Sequence, residues 1–441
     1  MEYTFFDFLT LIGSLGLFLY GMKVMSEGLQ KVAGDRLRGI LTAMTTNRVT
    51  GVLTGVLITA LIQSSSATTV MVVSFVNAGL LSLTQSVSVI MGANVGTTVT
   101  AWIISIFGFK VNISLFAIPL IGLAIPFIFS GNSRRRSWGE FIIGFAFLFM
   151  GLEFLKNSVP DIQNNPEILS FLTEYTNMGY LSVLLFLLIG TIVTIVVQSS
   201  SATMAITLIM CSKGWISFDI AAAMVLGENI GTTITALLAS IGQSKNAKRT
   251  AIAHSIFNIS GSIVFVFIIP LFAKFVQFIS PKGNEVDVIS RQIANAHTSF
   301  NVFCTVVWLP LIPVMVKIVT TIIRGKDKTV VMDQAPQYLD DKMIGKPLPA
   351  MYLVSEEMKR LANYSEMMVS ALKDSISGVG GSYARQQYEN AYQTVKELQE
   401  CISVYITKLF SSGMLTEQQS EQTAGFLFVT NNIDRIADRC A

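Results

Sequence analysis

Two unlike motifs recur in this chain at one and the same offset. Gln63-Ser64-Ser65-Ser66-Ala67-Thr68-Thr69 returns as Gln198-Ser199-Ser200-Ser201-Ala202-Thr203-Met204, with six identities in seven. Gly92-Ala93-Asn94-Val95-Gly96-Thr97-Thr98-Val99-Thr100 returns as Gly227-Glu228-Asn229-Ile230-Gly231-Thr232-Thr233-Ile234-Thr235, with six in nine. Both shifts are 135 residues. A single serine triplet is weak evidence, but two separate motifs sharing a gapless spacing mark an internal duplication. The chain must therefore fold as two related halves.

What those halves are made of follows from charge and apolar content. Of the 441 residues, 51% are hydrophobic and only 13% charged, which excludes a disordered chain and argues against an ordinary soluble globule. Residues 1–326 hold 20 Lys and Arg against 13 Asp and Glu, a net +7; residues 327–441 hold 11 against 15, a net −4. The long apolar stretches all lie in the first part. The reading is a membrane body followed by a soluble tail.

Stretches long enough to span are Phe5–Met25, Val111–Ser130, Trp138–Leu155, Ala251–Ile279 and Ile293–Ile323. Val49–Ile62 and Ala67–Leu81, on either side of the first serine motif, each reach only about 21 Å as helix, too short to cross. A re-entrant hairpin is the economical reading, over residues 49–81 and again over 180–213. Leu83–Gly108 is long enough to cross, and Gly92–Gly96 predicts a break in its middle.

The first half then crosses three times, an odd number, so the second half is inverted relative to it. Lys31, Arg36, Arg38, Arg48, Arg134, Arg135, Arg136, Lys245, Lys248 and Arg249 all fall on one side of that topology, as do Arg324, Lys326 and Lys328. The positive-inside rule makes that side cytoplasmic, with the N-terminus outside and the tail inside. The expected architecture is an all-α membrane protein: an inverted-repeat transporter with two re-entrant helical hairpins and discontinuous helices, plus a small cytoplasmic helical bundle. Its divisions are 1–137, 138–326 and 327–441. The acidic N-terminus (Glu2, Asp7) does not read as a cleaved signal peptide, and the four Cys lie too far apart for a metal motif or disulfide framework.

Backbone inside a bilayer must satisfy its own polar groups, so irregular segments survive only against protein or a wet cavity. A hairpin tip leaves unpaired N–H groups at the start of its second arm, with a partial positive charge that favours an anion. Here that start carries Ser64, Ser65 and Ser66, and again Ser199, Ser200 and Ser201. The carbonyls ending the first arm, with the Gln63 or Gln198 amide oxygen, offer ligands to a small cation. Asn94, Thr97, Thr98, Asn229, Thr232 and Thr233 add polar groups at the second motif. None of the four motifs holds Lys or Arg, so a bound anion depends on a co-bound cation for charge balance. Glu228, which replaces Ala93, is a candidate coupling residue. His254 and His297 sit in an echoed A-H-x-x-F-N pattern, for which interhelical hydrogen bonding is the expected role.

The paired QSSSAT segments, each followed by G-x-N-[VI]-G-T-T, resemble the type II sodium–phosphate cotransporter family, particularly its bacterial members, over roughly residues 5–323. The resemblance implies sodium-coupled phosphate uptake across the inner membrane by alternating access, with no covalent chemistry. Phosphate binding falls to Ser64, Ser65, Ser66, Ser199, Ser200, Ser201, Thr232 and Thr233. Sodium binding falls to Gln63, Gln198, Asn94, Asn229, Thr97, Thr98, Thr68 and Thr203. Co-transported Na+ is the one cofactor implied; phosphate, sodium and the bilayer are the partners, with no nucleic acid and room for a homo-oligomer. The tail is similar to a PhoU-like domain, with helices expected over Leu353–Ser375, Ser382–Leu409 and Thr416–Arg439. Asp434 and Asp438 in it resemble a metal-binding acidic motif. Two other readings compete: a membrane phosphate sensor signalling through the tail, and a transporter of another oxyanion. No P-loop, kinase or hydrolase motif is present, so no ATP coupling and no enzyme activity is expected.

Overall fold

The computed structural model describes residues 5–42, 47–110, 114–159, 174–283, 285–325, 336–377 and 381–440. Among these there is no strand. The chain divides into two units, one of Met1–Val73 with Ser82–Arg324, the other of Ser74–Leu81 with Gly325–Ala441.

In the first unit α1 (Phe5–Thr42) and α6 (Ser133–Ser158) open the two halves. They pack with their glycines against each other's backbone: Phe18 meets Gly151, Gly21 meets Leu148, Met25 meets Gly144 and Gly28 meets Phe141. As one number rises the other falls, so the two opening helices run antiparallel. That is the relation an inverted duplication demands.

After α1 come α2 (Arg48–Ile62), α3 (Ser65–Asn77) and α4 (Leu83–Ile103). After α5 (Ser114–Ile128) and α6 come α7 (Tyr180–Val197), α8 (Ser200–Ser212) and α9 (Phe218–Gly231). Asn47 caps α2 and Ser82 caps α4, each in a reciprocal capping box.

The glycines of the second motif account for how these helices are stacked. A Cβ on Gly92 would collide with the Val52 carbonyl, and one on Gly96 would lie 2.7 Å from the Val56 carbonyl. The second half repeats this: Gly227 against Leu187, and Gly231 at 2.7 Å from the Thr191 carbonyl. Small residues one turn apart let two backbones approach closely, the usual device of membrane helix pairs. Both numbers rise together, so α2 lies parallel to α4 and α7 parallel to α9. With α4 beginning a few residues after α3 ends, α3 has to return along α2, and the chain doubles back at Gln63.

The structure corrects one expectation here. Gly92–Gly96 predicts a helix break, yet α4 runs unbroken from Leu83 to Ile103. The glycines are packing notches. In the second copy of the motif the helix does step, and another discontinuity lies outside the motifs. The helix loosens into a π segment at Ile104–Lys110, where Lys156 Nζ donates to the Gly108 carbonyl. A short step at Thr232 separates α9 from α10 (Thr233–Ser240).

The last two spans are also broken rather than single. Ala251–Ile279 becomes α11 (Lys245–Phe267) and α12 (Ile269–Ile279), with Pro270 in the first turn of α12. Ile293–Ile323 becomes α13 (Glu285–Trp308) and α14 (Ile312–Ile322), bent by 85° at Leu309-Pro310-Leu311. Proline lacks the N–H that would continue each ladder. Among the described residues six helices are long and apolar enough to cross, and the bent pair makes a seventh. Of the expected span Val111–Ser130, residues 111–113 lie outside the described set and α5 covers only 15 residues. The 18-residue α7, expected as a hairpin arm, is itself long enough.

The unit is apolar outside and encloses buried polar side chains within its apolar core. Leu181, Leu184, Leu188, Ile192 and Ile195 make an exposed stripe on α7, while Thr59, Thr68, Thr203, Asn258 and Asn301 are fully buried.

The second unit holds α15 (Pro347–Ile376), α16 (Gly381–Ser411) and α17 (Glu417–Cys440), which cover the three helices expected of the tail. Residues 378–380, between the first two expected tail helices, and the start of the tail at 327 lie outside the described residues. Buried Glu357 accepts from the Gln337 and Tyr338 backbone N–H groups at 2.8 and 2.6 Å and pairs with Arg360 at 2.7 Å. Ser74 donates to Asp340 at 2.6 Å, and the Phe75 ring lies 5.3 Å from that of Tyr352.

Candidate substrate site

Each serine motif forms the tip of a helical hairpin. Gln63 and Gln198 end the first arms in the left-handed region, at φ 55° and 53°, the only non-glycine residues at positive φ among those described. Their backbone N–H groups still bond to Thr59 and Thr194 carbonyls, at 2.7 and 2.8 Å. A long polar side chain held in this region is strained and is retained where the tip needs it.

Behind each tip a threonine pair staples the arms. Thr59 donates to Thr68 at 3.1 Å and Thr194 to Thr203 at 3.0 Å. The Thr68 and Thr203 hydroxyls then donate to the Ser64 and Ser199 carbonyls. These two threonines, expected as sodium ligands, already have partners on both sides.

The serines divide the work. Ser64 and Ser199 cap the second arms, accepting from Ala67 N at 3.1 Å and Ala202 N at 3.3 Å. Among the described residues no hydrogen bond engages the hydroxyls of Ser65, Ser66, Ser200 or Ser201. Ser65 is 4% exposed and Ser201 9%, so these two donors are largely withheld from bulk water, while Ser66 and Ser200 are half-buried. They stand in the first turn of α3 and α8, where the helix presents unpaired N–H groups.

The two tips differ at one point. Gln63 is buried and accepts from Thr100 of α4 at 3.0 Å, while its amide donates to the Ala60 carbonyl at 2.6 Å. Gln198 is exposed, and Thr235, the counterpart of Thr100, instead bonds back to the Thr232 carbonyl at 2.9 Å. The first tip is fastened to its neighbour helix. The second lacks that bond.

Asn94 and Asn229 sit behind the tips in matching settings. Each turns its amide N–H onto its own helix, to the Ile90 carbonyl at 2.9 Å and the Val225 carbonyl at 2.8 Å. Each directs its oxygen at a histidine: Asn94 at His254 and Asn229 at His297, both loosely at 3.4 Å. Asn301 adds a contact to the Asn229 oxygen at 3.3 Å. The echoed A-H-x-x-F-N patterns thus dock one on each half, as the interhelical reading expects. Thr98, Thr232 and Thr233 bond to the carbonyls three residues before them at 2.7 to 2.8 Å. Thr97 is buried.

The second hairpin reaches across the duplication, since α8 packs against α4 as well as against α9 and α13. Sequence reasoning reaches Asn258 and Asn301 through the echoed A-H-x-x-F-N pattern and does not find Thr100 or Thr207 as part of this polar core. The 135-residue offset flags Thr100, which has a twin at Thr235; Thr207 has no such signal.

In the tail, Asp434 and Asp438 do lie on one face, and Lys396 Nζ sits between them at 2.7 Å from each. Among the described residues no three His, Cys, Asp or Glu side chains gather to hold a metal ion.

A family described as Na+/Pi-cotransporter matches residues 17–157 and 166–288. The chain is 27% identical over 437 residues to the putative inorganic phosphate export protein YjbB of Escherichia coli strain K12, covering 98% of this chain and 76% of the relative. It is 31% identical over 267 residues to the uncharacterized protein YqeW of Bacillus subtilis, covering 60% and 83%. It is 40% identical over 100 residues to the sodium-dependent phosphate transport protein 2A of Rattus norvegicus, covering 22% and 15%. No solved structure matches the chain. Inversely related halves, stapled serine tips and a buried polar core agree with these likenesses: the chain belongs to the Na+/Pi-cotransporter family, a family of membrane transporters and not of enzymes.

Proposed function

We propose that this protein moves inorganic phosphate across the inner membrane together with sodium, by alternating access, with both serine tips contributing to one substrate site. The observation that carries this is the set of four unengaged hydroxyls, on Ser65, Ser66, Ser200 and Ser201, at the first turns of two symmetry-related helices. Hydroxyls and helix N–H groups donate to anion oxygens, and the partial positive helix ends favour negative charge. Thr232 and Thr233 complete the phosphate side of the proposal.

No Lys or Arg belongs to either tip. The anion's charge then has to be offset by co-bound sodium, for which Gln63, Gln198, Asn94, Asn229, Thr97, Thr98, Thr68 and Thr203 supply oxygens. Coupling follows, because an anion without its cations meets a poorly compensated desolvation cost. The hairpins enter the membrane from opposite faces in this reading, the N-terminus lies outside and the tail lies in the cytoplasm, supported by the distribution of basic residues. The tail acts as a PhoU-like regulatory module. Asp434 and Asp438 bind metal there only by displacing Lys396.

Inward sodium makes uptake the favoured direction, and each net charge carried adds about 2.3 kcal/mol per 100 mV. A second reading, phosphate export, is favoured by the likeness along nearly the whole chain to the Escherichia coli relative named for export. Both directions use the same site.

The test is labelled-phosphate flux in liposomes holding the purified protein, under sodium, lithium or potassium gradients of either orientation. Sodium-driven accumulation inhibited by excess phosphate supports the reading. Equal inhibition by sulfate assigns a broader oxyanion, and stoichiometric binding without accumulation assigns a sensor.

A further inference from the structure

Glu228 and Thr207 form a buried pair that the first half does not have. Thr207 donates its hydroxyl to Glu228 Oε1 at 2.7 Å, and the two residues are 0% and 1% exposed. The 135-residue offset places Val72 and Ala93 at the equivalent positions, both fully buried. A donor and an acceptor thus stand together in one half where two apolar side chains stand in the other. The glycine notches on either side and Asn229, next in the chain, are all repeated.

The pair is incomplete by its own chemistry. Glu228 Oε2 is buried and has no hydrogen-bond partner. Among the described residues no ion pair includes Glu228. As a carboxylate it leaves an unpaired charge away from water. As a neutral acid it still leaves Oε2 without a partner, but buries no charge. Protein groups alone do not offset the charged form, so the site needs a small cation.

The described parts of the surrounding helices offer no resident cation. His254 and His297, on α11 and α13, are turned to Asn94 and Asn229. Cys211 on α8 and Cys304 on α13 are buried thiols, and α7 carries no ionisable group beyond Tyr180 at its start. Arg249 is bonded to the Ile323 carbonyl, and Arg291 stands over the Trp102 ring at 5.1 Å. Lys245 and Lys274 are exposed.

We propose that Glu228, held by Thr207, binds one small monovalent cation, a sodium ion or a proton, at a site which only the second half possesses. It rests on the transport reading for its role and on the orphaned oxygen for its existence. One cation carried at this position adds one positive charge to each cycle, which a strictly symmetric pair of halves lacks.

Two measurements test it. The first is labelling of Glu228 by dicyclohexylcarbodiimide, which attacks protonated buried carboxyls, read by mass spectrometry on the purified wild-type protein without phosphate. Labelling that falls as sodium replaces choline assigns sodium. Labelling that falls between about pH 5 and about pH 9, indifferent to sodium, assigns a proton. Labelling that is absent, or unmoved by either, overturns the proposal. This arm remains readable even if no phosphate flux is found, so it fails separately from the functional reading. The second is charge moved per phosphate in liposomes. The double variant Thr207→Val with Glu228→Ala, which installs the first half's residues, should move one elementary charge fewer than wild type. Glu228→Gln, which keeps the shape, serves the same measurement if the double variant does not fold. An unchanged charge ratio contradicts the assignment.

Discussion

Thr59 on α2 donates its hydroxyl to Thr68 on α3 at 3.1 Å, and Thr194 on α7 gives the same bond to Thr203 on α8 at 3.0 Å. Each bond closes a hairpin just behind its left-handed glutamine. Thr59→Val or Thr194→Val should loosen the tip by about 1 kcal/mol, the usual net worth of a buried hydrogen bond. Hydrogen exchange of the Ser65–Thr69 or Ser200–Met204 amides should rise several-fold in the affected half alone.

The glycine notches give a sharper effect. Gly92→Ala and Gly227→Ala drive a methyl into the Val52 and Leu187 carbonyls of the neighbouring helices. A loss of about 1–3 kcal/mol is expected from such overpacking. Gly122→Ala, whose Cβ meets nothing within 4 Å, is the matched control and should leave thermal stability in detergent unchanged.

Removing one histidine should unfasten one half. His254→Ala frees the Asn94 oxygen, and His297→Ala leaves the Asn229 oxygen only its contact with Asn301. A buried polar atom left without its partner costs about 1–3 kcal/mol. The His254 variant should lose more melting temperature than the His297 variant, because among the described residues the Asn94 oxygen has no second contact of that kind.

The tail carries its own pH signature. Burial pushes the Lys346 ammonium down to about 8, only partly opposed by Asp340, against an ordinary lysine value of 10.5. The unfolded chain therefore binds more protons than the folded one between those values, and stability rises with pH across that window. Hydrogen exchange of α15 to α17 in the full chain, corrected for the intrinsic rise of exchange with pH, should slow from pH 8 to pH 10 more in wild type than in Lys346→Met.

Much of this architecture is legible in the sequence, because polar serines between short apolar arms, repeated at a constant offset, leave the chain few ways to fold. The hairpin turns at Gln63 and Gln198 follow from that pattern, and the three tail helices from the apolar periodicity of the tail itself. The breaks do not. Gly92 and Gly96 read as helix breakers by local propensity, but a facing helix with matching contour turns them into contact points, and that partner is invisible along the chain. Conversely, Pro270 and Pro310 sit inside apolar runs of spanning length, so hydropathy hides the helix breaks beside them. The fastening of Gln63 by Thr100 is also hidden, since Thr235 occupies the same place in the repeat and turns the other way.

The most direct measurement of the central claim is equilibrium binding of labelled phosphate, in sodium, to purified wild type and to the double variants Ser65→Ala with Ser66→Ala and Ser200→Ala with Ser201→Ala. If both tips build one site, each double variant should lose at least about tenfold in affinity, roughly 1.4 kcal/mol, while keeping the wild-type melting temperature. Full-affinity binding by either variant would contradict the account.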